Sequence, residues 1–289
     1  MASNGIFTSN AGMDGLLNLI KAGVVTPMPR LSAALSTTNR ITSEFSRVQV
    51  PVIRGDASTA WVPEGQLIGE SEPDIDTIEA SPRALKALTP VSNEALKSGI
   101  GDLAALAMNS LSNDLASKVD AAFYANTTAN GPKGLGSIAP TTLNPTTFTN
   151  LDIFTEAVVT AEGVGSTITS FHCNPTDYLK IANLKESNGS NRGLLQPDVQ
   201  AENAPKLGNS YSGHSVAGVP LYVSRHCAAG VIWGVPKATV FSVTSATPDL
   251  AMSEDAAFDR DITLIRAVYG VDFAFAHEAG VVKIELPTP

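Results

Sequence analysis

Cysteine is nearly missing from this chain: there are two, Cys173 and Cys227, in 289 residues. Two thiols so far apart make no disulfide framework for a protein of this size, and their scarcity fits a reducing compartment. Basic residues are also in deficit, with 19 Lys and Arg against 28 Asp and Glu, a formal net charge of -9 and a pI near 4.9. Sequence-independent nucleic-acid binders neutralise phosphates with clustered cations, so this balance excludes that class for the chain as a whole. No apolar run is long enough to span a bilayer, and the start MASNGIFTSNAGMDGLL lacks the basic opening and apolar stretch of a signal peptide. The expected product is soluble, has no membrane partner and is made in the cytoplasm.

What is present is enough apolar content, 43%, to bury a substantial core in one large domain or two. A short apolar segment, Met13–Val25, reads as a helix stopped by Pro27 and Pro29. Arg47–Ile53, RVQVPVI, and Leu85–Val91, LKALTPV, have the β-branched, alternating character of strands, and they are expected to pair across a very long excursion. Within that excursion lies WVPEGQLIGESEPDIDTIEAS, Trp61–Ser81, which carries Glu64, Glu70, Glu72, Asp74, Asp76 and Glu79. No basic residue falls between Arg54 and Arg83. Connections of such length are usually functional or disordered, and Trp61, Leu67, Ile68, Ile75 and Ile78 are not what a disordered linker holds.

SNEALKSG, from Ser92, reads as a short helix closed by Gly99. The most periodic element comes next, with Asp102 as N-cap and an end near Ala125. Leu103, Ala107, Leu111, Leu115, Val119 and Phe123 recur every four residues, while Asn113, Ser117, Lys118 and Asp120 fall mainly on the rest of the wheel. Turn formers from Asn126 to Thr147 mark a subdomain boundary. Beyond it, Asn150 is expected to cap a helix carrying Leu151, Phe154, Val158 and Ala161, and Ser166–Cys173 reads as a buried strand. Asn174 followed by Pro175 starts another helix, since Asn accepts from orphan amides and Pro is tolerated at the first helical position. A polar loop, Glu186 to about Gly213, leads to strands at Val219–Ser224 and Val231–Trp233. Near the end, Thr263, Ile265, Ala267, Tyr269, Val271, Phe273 and Phe275 form one apolar face of a long strand.

Enzyme-like motifs are weak. GHSVAG, Gly213–Gly218, nearly matches a nucleophile elbow with Ser215 as nucleophile, but that elbow needs a strand before the serine and a helix after it. Here a polar loop, LGNSYS, precedes and a strand, GVPLYVS, succeeds it. His172–Cys173 and His226–Cys227 would together supply a zinc-type ligand set, yet strand neighbours point to opposite faces. Buried thiols beside hydrogen-bonded histidines are the better reading. EPDIDTIE lacks the glycine and oxygen ligand of a calcium loop. The acids of SEDAAFDRD, Ser253–Asp261, read as solvated turn residues. No catalytic, cofactor-binding or metal-binding set is expected.

Read in order, WVPEG, SEP, TPVSNEAL, the long helix from GDLAAL to DAAFYANTTANGPKGLGS, SFHCNPTDYLKIANLKESNGSNRGLL, VAGVPLYVSRHCAAGVIWGVPKATV and DITLIRAVYGVDFAFAHEAGVVKIEL are similar to a known series. The sequence resembles the major capsid proteins of tailed bacteriophages with the Hong Kong 97-like fold, over roughly residues 45 to 289. The resemblance implies an α+β subunit with an N-terminal arm (1–46), an extended E-loop hairpin with flanking strands (47–91), and a peripheral domain with a spine helix (92–147). An axial domain (148–245) and return strands (246–289) complete it. The E-loop itself is expected at about Arg54 to Arg83.

The implied function is structural: self-assembly into hexamers and pentamers of an icosahedral virion shell around double-stranded DNA, held without sequence-specific binding. A portal and decoration proteins are the further partners implied. Some family members carry a long N-terminal scaffold segment, and this chain starts almost directly at the arm. Either a separate scaffolding protein helps, or such a segment has been removed. Some members also cross-link through an E-loop lysine, and no lysine lies between Lys21 and Lys86, so no such cross-link is expected. An encapsulin-type nanocompartment is the alternative on the same fold, and a serine hydrolase using Ser215 is a distant one. The inter-subunit contact candidates are Trp61, Glu64, Leu67, Ile68, Glu70, Glu72 and Asp74 on the E-loop, with Arg83, Lys97, Lys118, Arg260 and Arg266 as basic counterparts.

Overall fold

A computed structural model describes residues 32–44, 47–94, 103–186, 192–197, 211–245, 249–253 and 259–287. The expected helix Met13–Val25, most of SNEALKSG with Lys97, the Asp102 cap, and most of the loop Glu186–Gly213 lie outside the described residues. In chain order the first half contains α1 (Ala33–Thr37), β1 (Asn39–Ser43), β2 (Val48–Gly55), β3 (Asp74–Ala80), β4 (Arg83–Ser92), α2 (Leu103–Tyr124) and β5 (Thr141–Leu143). The second half contains α3 (Asp152–Gly163), β6 (Ser170–Cys173), α4 (Pro175–Ala182), β7 (Gln196–Pro197), β8 (Tyr211–Val216) and β9 (Val219–Val223). It ends with β10 (Val231–Val235), β11 (Val240–Ser245), β12 (Asp249–Ser253), β13 (Ile262–Phe275) and β14 (Val282–Glu285).

The strand pairing corrects one expectation. β2 pairs antiparallel with β3, from Val48 opposite Ala80 to Gly55 opposite Asp74. Arg47–Ile53 therefore does not pair with Leu85–Val91. β4 instead lies antiparallel along β13, from Ser92 opposite Ile262 to Arg83 opposite Val271. The reason is burial: Leu85, Ala87 and Val91 of β4 pack on the same core as Ile265, Ala267, Tyr269, Val271 and Phe273 of β13.

That core is closed by α2, about 33 Å long at the helical rise. Its four-residue spacing places Leu115, Val119 and Phe123 inward, and the Phe123 and Phe273 rings lie 5.1 Å apart. Asp120, expected on the polar face, is in fact 4% exposed. Its Oδ1 accepts from Ser32 Oγ at 2.6 Å and from the Ala34 amide at 3.0 Å, and its Oδ2 from the Ala33 amide at 3.1 Å. A carboxylate enters the core only because another segment supplies all these donors. The turn after α2 folds back tightly, with the Gly136 amide donating to the Ala125 carbonyl at 3.1 Å.

Beside the sheet of β1, β11, β13, β12 and β4 lies a seven-stranded sheet in the order β5-β14-β10-β6-β9-β8-β7. β10 serves two cores by alternation: Trp233 and Val235 join the core under α2, and Ile232 joins a second core with Phe154, Phe171, Leu221 and Ile284. α3 covers that second core with Phe154, Ala157 and Ala161, all fully buried. Asn150 does not cap it: Leu151 holds the N-cap position without a side-chain bond, and the Asn150 amide donates to the Asp152 carboxylate instead. The buried strand expected over Ser166–Cys173 is shorter, Ser170–Cys173. α4 starts as the Asn-Pro pair predicts, with Asn174 Oδ1 accepting from the Thr176 amide at 3.0 Å.

Candidate inter-subunit surface

β2 and β3 form a two-stranded ribbon that joins neither larger sheet. It is rooted at its base: Ala80 is buried with Val243 and Ala274, and the Ser81 amide donates to Asp272 Oδ2 at 2.6 Å. Burial raises the Asp272 carboxyl pKa, against the hydrogen bonds it accepts. Along the stem, Arg47 pairs with Glu79 at 3.1 Å and Arg54 with Asp76 at 2.6 Å. The Arg54 hydrogen bond holds the Asp76 carboxyl below its ordinary range. These cross-strand pairs support the register of a ribbon whose one partly buried face, with Val48, Val50 and Ile78, lies toward its base.

The tip, residues 56–73, contains no regular strand or helix and turns at Gly65, whose φ of 83° suits glycine. It exposes what a folded subunit normally hides. Trp61 is fully exposed, Leu67 is 94% and Ile68 76% exposed, and the Ile53–Ile75 cross-strand pair below them is also exposed. Among the described residues, Glu64, Glu70, Glu72 and Asp74 form no ion pair.

A cleft of about 510 Å³ lies between β4, α2 and the loop Thr127–Pro132. Leu85, Val119, Ala122 and Val271 give it an apolar floor; Arg83, Lys86 and Lys118 are its charged lining, with no carboxylate among the lining residues. Two of the expected basic counterparts, Arg83 and Lys118, are thus brought together. Lys86, the one lysine of β4, joins them although it was not among the expected counterparts. Arg260 lies elsewhere, exposed beside Asp259 at 3.6 Å, and Arg266 projects from β13 in register with Leu88.

The enzyme-like motifs resolve into structure. Ser215 sits in β8, opposite Pro220 of β9, and the two strands join through Ala217 and Gly218, both at positive φ. Tyr211 and Ser212 of the expected loop thus lie in β8, and the rest of LGNSYS lies outside the described residues. After Ser215 the chain makes a hairpin turn into a second strand, so no helix terminus meets the hydroxyl. Among the described residues no group of three or more His, Cys, Asp and Glu is placed to hold a metal.

His172 is fully buried, sharing hydrogen bonds with Tyr124 Oη at 2.7 Å and Ser170 Oγ at 2.9 Å, and its ring stacks on Tyr222. Burial depresses its pKa to about 3 and pushes the Cys227 thiol up to about 12, with Cys173 raised as well. A histidine that folds neutral contributes stability fully present above its unfolded pKa and lost as pH falls toward the folded value. Stability is thus expected to decline by up to about 1.4 kcal/mol per pH unit between about 6.5 and 3 from this residue. Chemical denaturation at several pH values should show a shallower acid slope in His172→Gln than in the parent.

The described residues thus present an exposed apolar and acidic hairpin on a body with two cores. Comparison with known proteins gives the family. The model of the phage capsid family matches residues 20–286, and the chain belongs to that family. It is a structural major capsid protein with the Hong Kong 97-like fold, a component of the virion capsid, and not an enzyme. Among solved structures, the chain is similar to the capsid of an empty GTA particle, at 15% identity and a TM-score of 0.68, covering 89% of this chain and 90% of that one. It is also similar to a structure from Microbacterium phage Oxtober96, at 14% identity and 0.67 over 89% and 91%. A structure from Gordonia phage Cozz aligns at 17% identity and 0.65 over 90% and 87%. Among the curated proteins nothing matches. The chain self-assembles into a capsid shell.

Proposed function

We propose that the hairpin Val48–Ala80, which includes most of the E-loop expected at about Arg54 to Arg83, docks on a neighbouring subunit and sets the register of the shell. The observation that carries this reading is the fully exposed apolar tip, which a soluble subunit would otherwise leave in water. Trp61, Leu67 and Ile68 pack on the neighbour, and Glu64, Glu70, Glu72 and Asp74 meet its cations. The cleft with Arg83, Lys86 and Lys118 matches the tip in kind, an apolar floor with cations for a segment that mixes apolar groups with carboxylates. Arg260 and Arg266 are further counterparts, as is Lys97, which lies outside the described residues. Exposed ion pairs contribute little singly, so the charges act on steering and alignment, while repetition by symmetry multiplies each weak contact.

In this reading the subunits form hexamers and pentamers of an icosahedral shell around double-stranded DNA. The net charge of -9 keeps the subunit from adhering to the phosphates. The chain divides into arm (1–46), E-loop region (47–91), peripheral domain (92–147), axial domain (148–245) and return strands (246–289), with β11 of the axial range pairing with β13 and β14 of the return range pairing with β10. It is made in the host cytoplasm, and a scaffolding protein, portal and decoration proteins are further partners. Replacing Glu70, Glu72 and Asp74 together by Lys is expected to prevent closed shells while the subunit still folds. Negative-stain microscopy of the purified variant checks this, and complete shells at normal yield would sink the idea.

A further inference from the structure

The short helix α1 has five residues, too few to persist alone, because helix nucleation costs more than one turn returns. Its N-terminal amides are nevertheless satisfied. Ser32 Oγ accepts from the Leu35 amide at 3.2 Å, and Asp120 of α2 accepts from the Ala33 and Ala34 amides and from Ser32 Oγ itself. The cap of this helix is thus supplied by a residue 86 to 88 positions away. Conversely, the buried Asp120 carboxylate takes its hydrogen bonds from Ser32, Ala33 and Ala34, and a carboxylate in the core without partners is strongly disfavoured. Helix and carboxylate therefore need each other.

The segment has further attachments to the body. Ala34 and Leu35 fill the core beside Leu115 and Val119. Thr38 Oγ1 donates to Ser242 Oγ at 2.9 Å, and β1 then runs parallel to β11 from Asn39 opposite Phe241 to Ser43 opposite Ser245. β1 is mostly exposed and sits at the end of its sheet, so β11 would become the edge if it left.

We infer that residues 32–44 are a strap with Asp120 as its catch: the segment closes onto the body when Asp120 caps α1, and opens as one unit when that cap is lost. Closing completes the sheet edge and ties the strap to α2, so the two move together.

Amide hydrogen exchange on the full chain tests this. In Asp120→Ala, amides of Ala34–Ser43 are expected to exchange about a hundredfold faster, with Asp120→Asn intermediate and Ser32→Ala about tenfold, since removing capping donors or acceptors opens the segment they hold. Amides in the β4–β13 pairing should keep parental rates. Oxidised Thr38→Cys/Ser242→Cys, which clips the strap shut, is expected to restore slow exchange in the Asp120→Asn background. Unchanged protection of residues 34–43 in Asp120→Ala would overturn the inference. So would an equal rise in the β4–β13 amides, which would make Asp120 an ordinary core group. If Asp120→Ala does not fold, Ser32→Ala and Asp120→Asn carry the same contrast.

Discussion

Trp61→Ala is expected to leave the melting temperature of the unassembled subunit within about 2 °C of the parent and to lower the yield of closed shells at least roughly tenfold. The two halves of this expectation come from one observation. Trp61 is fully exposed, so its truncation disturbs almost nothing within the chain. A large aromatic at the end of a projecting ribbon is also the residue type most often found at the energetic centre of an interface. Under the docking proposed above, the same weakened junction recurs at every symmetry-related position, so a modest pairwise deficit becomes a large one in the shell. Calorimetry of the dissociated subunit and microscopy of assembly reactions check the two halves separately. A large drop in melting temperature would place Trp61 in the fold, and an unchanged shell yield would remove it from the interface.

Gly134→Ala is the largest expected change in stability. A Cβ there would lie 2.2 Å from the Ala122 carbonyl oxygen, 2.4 Å from that of Phe123 and 2.6 Å from that of Ala125. All three are backbone atoms at the end of α2, which cannot swing aside as a side-chain tip would. Either the turn moves away or α2 loses its last turn, and with it the seating of Phe123 and Tyr124. We expect a loss of at least about 3 kcal/mol in urea unfolding. Gly163→Ala is the control, because a Cβ at that helical position meets nothing within 4 Å. There alanine should be neutral or stabilising by up to about 1 kcal/mol. Equal midpoints for Gly134→Ala and the parent would show that the close approach is not a constraint.

Much of this architecture was legible from the sequence, but unevenly. The long helix was readable because Leu111, Leu115, Val119 and Phe123 keep a strict spacing against one continuous core. The Asn174–Pro175 start was readable because capping is local, and β13 because one face of it is buried along nearly its whole length. β3 was not read as a strand, since DIDTIEA carries three acids and is exposed for most of its length. Apolar alternation reports burial, and a strand exposed for most of its length has little to report. For the same reason LKALTPV, with its true partner nearly two hundred residues on, drew the pairing that belonged to DIDTIEA. Asp120 was illegible in another way, because its burial is permitted by donors from Ser32 to Ala34 that no local window contains. Of the cleft, Arg83 and Lys118 were singled out as charges, but their proximity is a product of the β4–α2 packing.

The path of the chain between the two sheets has a mechanical meaning. It passes from the α2 side to the seven-stranded sheet through residues 125–140, returns through 236–239 and crosses again through 276–281. Three separate crossings, with Trp233 and Val235 wedged beside them, make a mount with three fixing points where a single linker would make a pivot. Such a body resists torsion and transmits an applied push from one half to the other with little internal yield. In a shell made of such bodies, deformation is directed to the free-standing ribbon and to the joints between subunits, the parts that can give without unfolding anything.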